Sequence, residues 1–575
     1  VELTNGSLRL WYGTGPVCTS DRQVITASSS SGGTISLTTT TNHGWSAGDH
    51  LILFCPVGTV SAADYAVVAN RFFKIATQNG TTGLTMKDDV GVVLPSDISS
   101  SGLNGATAIR IKRFDSTGIT TAMLPTTRLV QAQTQAFLLS GVAPQVLTIT
   151  TDRTPLLDTE PVISLGAATF SDGPYLDYQG FPNTPETGVV SGGSVYSGSG
   201  VTFTPASSTF ASTDVGRLIR LFSQPAAWNS GTTYTYGQTV TYPTGSNQYW
   251  VAVDKSGANT NQIPGTASIQ TSGVPLQFWA ASPAEGQWAW ATITAQASTS
   301  CTITYSTSLN STNGTTVSQW QLGVYKTGQY PTCGLFHEGR LWLGGAVRNR
   351  WDASVSNGVG AASVDMSPTD VYGNQNDDNA MGGSFNFDDI DSIYWFRPDT
   401  QGLIVGTNGG EILMSSSALD DAMTPTNIRA RKVAKYKAAN IEAVQTGICL
   451  IYVQELGRRV MELIADAYTG KYGGHHINEQ AKHLAAVGLK ELAYQEETAP
   501  IVWAITNDGV LIGCTYRRIS RFITEPPVFN GWHQHPMSDG AVVNSMAVLA
   551  GLDGISDDLF LNVQDINGDY WVDVL

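Results

Sequence analysis

Leu403-Ile404-Val405, a turn at Gly409-Gly410 and then Ile412-Leu413 form a pattern that recurs through residues 319 to 575. Val502-Trp503-Ala504-Ile505 runs through Asn507-Asp508-Gly509 into Val510-Leu511-Ile512, and Leu559-Phe560-Leu561 runs through Asn567-Gly568 into Tyr570-Trp571-Val572. Leu450-Ile451-Tyr452-Val453 with Gly457 is a divergent fourth copy. Asn-Gly and Asp-Gly supply the positive φ of a tight hairpin turn, so each copy reads as a β-hairpin. Glycines 409, 457, 509 and 568 are 48, 52 and 59 residues apart, close to the roughly 40–50 residues of a propeller blade. Radial repetition of this kind removes exposed sheet edges. An irregular stack of antiparallel sheets is the alternative the spacing leaves open.

The rest of the composition fits that class. The chain has 575 residues, 41% hydrophobic and 14% charged, with 60 glycines. It can bury a large core, and at roughly 150 residues per domain it holds about three or four units. The expectation is an all-β protein, with a β-propeller-like body and inserted small β-domains. Residues 1–18 and 119–187 read as propeller or platform strands, 19–118 as a Ser/Thr/Gly-rich inserted β-domain, 188–318 as a second insertion, and 319–575 as the main propeller-like region. No apolar run approaches the roughly 18–20 residues of a membrane span. Val1 in place of Met, and a stop at Leu575 within an alternating strand, suggest missing residues at both ends.

The formal charge is −16, from 31 Lys+Arg against 47 Asp+Glu. That argues against wrapping on the outside of nucleic acid, which needs clustered cations. It is compatible with DNA passing through a channel whose wall repels it over about 8–10 Å. The six cysteines (Cys18, Cys55, Cys301, Cys333, Cys449, Cys514) lie far apart and read mostly as buried small hydrophobes.

Trp320-Gln321-Leu322-Gly323-Val324-Tyr325, Gly328-Gln329-Tyr330-Pro331 and Phe336-His337-Glu338-Gly339-Arg340-Leu341-Trp342-Leu343-Gly344-Gly345 follow one another. After them come Trp351-Asp352-Ala353-Ser354, Ile393-Tyr394-Trp395, Thr407-Asn408-Gly409-Gly410-Glu411, Leu456-Gly457-Arg458-Arg459-Val460, Lys482-His483-Leu484, Ala493-Tyr494-Gln495, Asp508-Gly509-Val510-Leu511 and Trp532-His533-Gln534-His535. With Phe170-Ser171-Asp172-Gly173-Pro174-Tyr175 upstream, this order resembles the tail nozzle (tail tubular B) family of short-tailed bacteriophages. The resemblance implies a β-propeller with inserted domains, in a virion tail. It implies a homo-oligomer, commonly a hexameric ring, below a portal-adaptor ring and near tail fibres or spikes. Double-stranded DNA would pass through that ring during ejection. Neither a catalytic residue, a cofactor nor a metal is expected.

A second likeness lies in residues 226–280. Trp228, Tyr234, Gly237, Val240, Tyr242, Gly245, Tyr249-Trp250, Pro264 and Trp279 are similar in spacing to chitin-binding-type carbohydrate modules. That likeness implies glycan stacking by Trp228, Tyr234, Tyr242, Tyr249, Trp250 and Trp279, and a carbohydrate-binding or glycan-degrading surface protein is the alternative function. The core of a small β-fold explains the same aromatics.

Other chemistry is weakly signalled. Asp388-Asp389-Asp391, with Asp377-Asp378, could pair carboxylates for glycoside cleavage or hold Ca²⁺, but Asp among Gly, Asn and Ser reads as turn residues. His475-His476, His483, His533 and His535 lack the i,i+4 spacing of a helical metal pair, and His533 and His535 would share one strand face. Gly44-Trp45-Ser46-Ala47-Gly48 has the letters of a nucleophile elbow without the strand–turn–helix context. Arg429, Arg431 and Lys432, followed by Lys435 and Lys437, are a strongly cationic run in this acidic chain. They are candidates for DNA or subunit contact, or else a charged edge strand.

Overall fold

In the computed structural model, the described residues of the body form six antiparallel sheets in chain order, with the second of two barrels between the first sheet and the second. The structure describes residues 1–575 apart from 13–14, 57, 69–70, 89–97, 116, 133, 151–161, 178–184, 193–197, 224, 226, 237, 245, 247, 255–258, 267, 270–274, 283–285, 308–315, 361–362, 388, 390–391, 419–420, 467, 520–521, 523–524, 526, 552–553 and 569. The first sheet contains Arg128–Ala132, Gln135–Leu139, Gln145–Thr150 and Val162–Ala167. The second contains Cys333–His337, Arg340–Gly344, Arg350–Ala353 and Met381–Ser384. The third contains Ile393–Asp399, Gly402–Thr407, Gly410–Ser415 and Arg429–Ala434. The fourth contains Val444–Thr446, Cys449–Val453, Val460–Ala465 and Tyr472–Gly473. The fifth contains Leu489–Gln495, Ile501–Thr506, Leu511–Arg517 and Phe529–His535. The sixth has three strands, Val542–Ala550, Asp557–Gln564 and Tyr570–Val574.

Each sheet has its strands in chain order, and the four recurring turns occupy one position: they join the second and third strands of the third to sixth sheets. Gly457, Gly509 and Gly568 take positive φ there. In the third sheet the positive φ falls on Gly410 rather than Gly409, because Gly410 opens the following strand.

In the second to fifth sheets the middle strands are apolar on both faces because a neighbouring sheet covers each side. Leu403 and Val405 pack with Trp342 and Ala353 of the second sheet, while Ile404 between them packs with Leu450 and Tyr452 of the fourth. Ile451 and Val453 turn the other way, onto Val502 and Ala504. Trp503 and Ile505 continue onto Val543 and Leu559. The period-two alternation of a strand therefore sorts side chains between two neighbours rather than between core and water. A strand buried this way reads as an unbroken apolar run. The first sheet joins the series through Phe137 and Leu139, against Leu341 and Leu343. Its other face is covered by Leu8 and Leu10 from a small N-terminal sheet. Among the described residues, no apolar cluster joins that N-terminal sheet to the sixth sheet. The molecule is all-β, with a β-propeller-like body.

Two closed six-stranded barrels branch from this body. One uses strands between Cys18 and Ile111 around Trp45, Phe73 and Ile35. The other runs from Gly188–Ser191 to Thr316–Leu322. Its last strand corrects the boundary read at 318. Trp320 points into the barrel against Phe203 and Phe210, at ring-centroid distances of 5.3 and 5.8 Å, so the barrel ends after Leu322. The aromatic segment forms small sheets nested within this second barrel, between Leu218–Ser223 and Gln287–Ala297.

One close approach sets the spacing inside the third sheet. Gly406 lies opposite Trp395, and a Cβ at 406 would stand 2.0 Å from the indole Cε2. Trp395 is itself buried, with the Tyr452 ring 5.6 Å from its own. Gly406→Ala is expected to cost about 1–3 kcal/mol by overpacking, read as a lower denaturant midpoint with an unchanged slope.

Candidate functional site

First strands of neighbouring sheets lie against one another, and four charged side chains gather beside them: Arg128, Arg397, Glu442 and Glu491. The first strands of the first and second, second and third, fourth and fifth, and fifth and sixth sheets pack side by side. Arg397 links the third to the fourth: its Nε donates to Ala443 O at 2.6 Å. Arg128, on the first strand of the first sheet, donates through Nη2 to Asn440 O at 3.1 Å. That bond reaches the segment leading into the fourth sheet, past the second and third.

Glu442 bridges the two cations. Its carboxylate is 2.7 Å from Arg397 Nη2 and 3.8 Å from Arg128 Nε. Its side chain is 38% exposed, so one end of the cluster meets solvent, where an ion pair of this kind is worth about 0–1 kcal/mol. Deeper in, Glu491 accepts the Met546 backbone N–H at 3.2 Å, tying the fifth sheet to the sixth. Burial pushes the Glu491 carboxyl up to about 7, against the opposing pull of Arg128 and Lys490. Cys333, on the first strand of the second sheet, is also buried, and this drives its thiol up to about 12. It therefore stays protonated at neutral pH and offers little nucleophile. The arrangement pins sheets of the body together.

The sequence reading missed these four residues. Each is a charge in or beside a largely apolar strand, and their convergence depends on contacts spanning up to 312 positions. The only local signal is the charge itself, placed where a buried strand should have none.

The residues singled out from sequence are distributed elsewhere. Tyr234 and Trp279 are buried in the small nested sheets, with ring centroids 5.1 Å apart. Glycan stacking by these two is corrected to a core role, because a ring with no exposed face cannot meet a sugar. Trp228 and Trp250 pack partly against that core, and Trp250 Nε1 donates to Tyr242 O at 3.0 Å. Trp228 meets Tyr242 edge-on at 5.5 Å, while Tyr249 is half-buried on the strand Tyr249–Ala252. Gly237 and Gly245 lie outside the described residues.

Arg429, Arg431 and Lys432 lie on Arg429–Ala434, the outer edge strand of the third sheet. Arg429 and Arg431 are exposed, and Arg431 Nη2 donates to Gln401 Oε1 at 3.0 Å. Lys432 points the other way and holds both oxygens of Asp389 at 2.6 Å, which keeps that carboxyl below its usual range. Asp388 and Asp391 fall outside the described residues. Asp377 and Asp378 offer their backbone carbonyls to Arg340, at 2.6 and 3.2 Å. His533 Nδ1 and His535 Nε2 share a face 2.6 Å apart, and His475 Nδ1 pairs with Glu462 at 2.7 Å. Among the described residues no group of three His, Cys, Asp or Glu side chains is placed to hold a metal ion. Ser46 sits in a turn, its N–H donating to Asp49 Oδ2 at 2.9 Å.

No family model and no curated protein matches the chain. Among solved structures, a candidate 6-phosphogluconolactonase from Bacteroides fragilis matches at 10% identity over 63% of this chain and 95% of its own, with a TM-score of 0.23.

Proposed function

We propose that this chain is a structural, non-catalytic subunit of a ring-shaped channel, a tail nozzle of the short-tailed bacteriophage kind, through which DNA leaves the particle. The observation that carries the reading is where the ordered segments fall. Phe336 to Gly345 make the first hairpin of the second sheet; Ile393 to Trp395 open the third sheet, and Thr407 to Glu411 make its second turn. Leu456 to Val460 and Asp508 to Leu511 occupy the equivalent turns of the fourth and fifth sheets. The likeness therefore follows the repeat of the body, sheet by sheet, and not one isolated patch.

The physical role is mechanical and electrostatic. Close-packed sheets deform little under load. A chain of formal net charge −16 gives passing phosphates little to hold. Negative-stain imaging and native mass spectrometry of gently disrupted particles should show rings of identical copies with an open centre. Release only as monomers, or turnover of a sugar polymer by purified protein, would sink the reading.

A further inference from the structure

A cleft opens where the second barrel meets the body. Strands Leu218–Ser223, Gln287–Ala297 and Thr316–Leu322 send Leu221, Ala289 and Trp320 into the barrel core. Alternation turns Arg220, Trp288, Gln319 and Gln321 outward. The segment Thr369 to Gln375, between the third and fourth strands of the second sheet and exposed from Val371 onward, lies over this outer face and borders an open cleft of about 310 Å³ lined by all four.

Both walls are fixed before any ligand arrives. Trp288 N–H donates to Val371 O at 2.7 Å, and Arg220 Nη2 donates to Thr369 Oγ1 at 2.6 Å and Asp370 O at 3.2 Å. Asp370 in turn accepts the N–H groups of Tyr372 and Asn374, at 2.9 and 2.8 Å. The guanidinium of Arg220 is 3.5 Å from Asp172 and stacks 4.4 Å over Trp288. Its charge is thus countered within the protein, and the cavity presents no net charge to a ligand.

What the cavity does present is a set of uncommitted neutral hydrogen-bonding groups. The side-chain amides of Gln319, Gln321 and Gln375 and the indole N–H of Trp288 line it, and none bonds to another described residue. Tyr372, 40% exposed, adds an aromatic wall. An amide pairs one donor with one acceptor, matching the adjacent hydroxyls of a sugar, and an aromatic wall suits the apolar C–H face of the ring.

We propose that this cleft binds a neutral hexopyranose unit of a glycan. The site is separate from the aromatic segment 226–280 and does not depend on the nozzle reading. It is tested on the full chain by saturation-transfer difference NMR with a panel of neutral methyl hexopyranosides and, as a class control, adenosine. At least one glycoside should bind with a Kd of about 1 mM. The double variant Gln319→Ala and Gln321→Ala, and separately the exposed-loop variant Tyr372→Ala, should each weaken it about tenfold, with far-UV circular dichroism unchanged. Tyr249→Ala should leave binding intact. No glycoside signal, adenosine binding in preference to every sugar, binding that survives both cleft variants, or loss on Tyr249→Ala would each overturn the assignment.

Discussion

Glu462→Gln should lower the stability of the propeller-like body by roughly 3–5 kcal/mol, the usual cost of stripping one partner from a buried ion pair. Glu462 sits on Val460–Ala465 of the fourth sheet and is fully buried. One oxygen meets Arg518 Nη1 and His475 Nδ1, each at 2.7 Å, and the other accepts the Tyr516 hydroxyl at 2.7 Å. Burial drives the Tyr516 phenol far above its usual range, so that hydroxyl keeps its proton and donates. Arg518 is also held by Phe522 O and Glu525 O, at 2.8 and 2.7 Å, so it stays in place when the carboxylate goes. The substitution preserves shape and hydrogen-bonding size, which isolates the lost charge from any cavity effect. A chain with two barrels beside the body is not expected to unfold in one two-state step, so the effect is read on the transition that reports the body. Adding Arg518→Leu should recover part of the loss, since the stranded cation is then gone. A loss below about 1 kcal/mol would place the pair in the class of exposed ion pairs.

That network was invisible in the sequence, whereas the repeat was not, and the difference is physical. Asn507-Asp508-Gly509 and Asn567-Gly568 announce turns because backbone sterics act locally. Val502 to Ile505 announce a strand buried on both faces because all four side chains find apolar neighbours. Glu462, Arg518 and His475 come from segments up to 56 residues apart, and no spacing rule connects them. Arg128 and Asn440 are further apart still. Residues 119–187 read as propeller or platform strands, and strands from Arg128–Ala132 to Val162–Ala167 within them form the first sheet, against Leu341 and Leu343 of the second. The aromatic segment failed differently. Its described strands are two to four residues long, too short for alternation to separate buried Tyr234 and Trp279 from half-buried Tyr249. In the cleft, Gln319 and Gln321 flank core Trp320, an alternation that was present in the letters, but the loop closing over them comes from another sheet.

Glu491→Gln should do the opposite of Glu462→Gln and stabilise the body. Burial raises the Glu491 carboxyl from 4.5 to about 7, so the folded protein binds a proton there that the unfolded chain releases. Between those two values the native state holds more protons, and stability falls as pH rises through the window. Below about 4.5 the residue is neutral in both states and costs nothing; above about 7 the folded body carries a buried charge at a penalty of about 3 kcal/mol, since each tenfold change in proton affinity is worth about 1.4 kcal/mol. Glutamine keeps an oxygen for the Met546 N–H but has no proton to lose. The variant should match the parent on the acid side of the window and exceed it by up to about 3 kcal/mol at pH 8. Denaturant midpoints for both proteins across that range give the measurement. The sign carries more weight than the size: a parent curve that rises with pH through the window relative to the variant would mean that Arg128 and Lys490 overcome desolvation in this cluster. The cluster would then act as a charge-pairing lock. With the expected sign, Glu491 is instead a buried acid held neutral in acid solution, and the joint between the fifth and sixth sheets loosens on deprotonation.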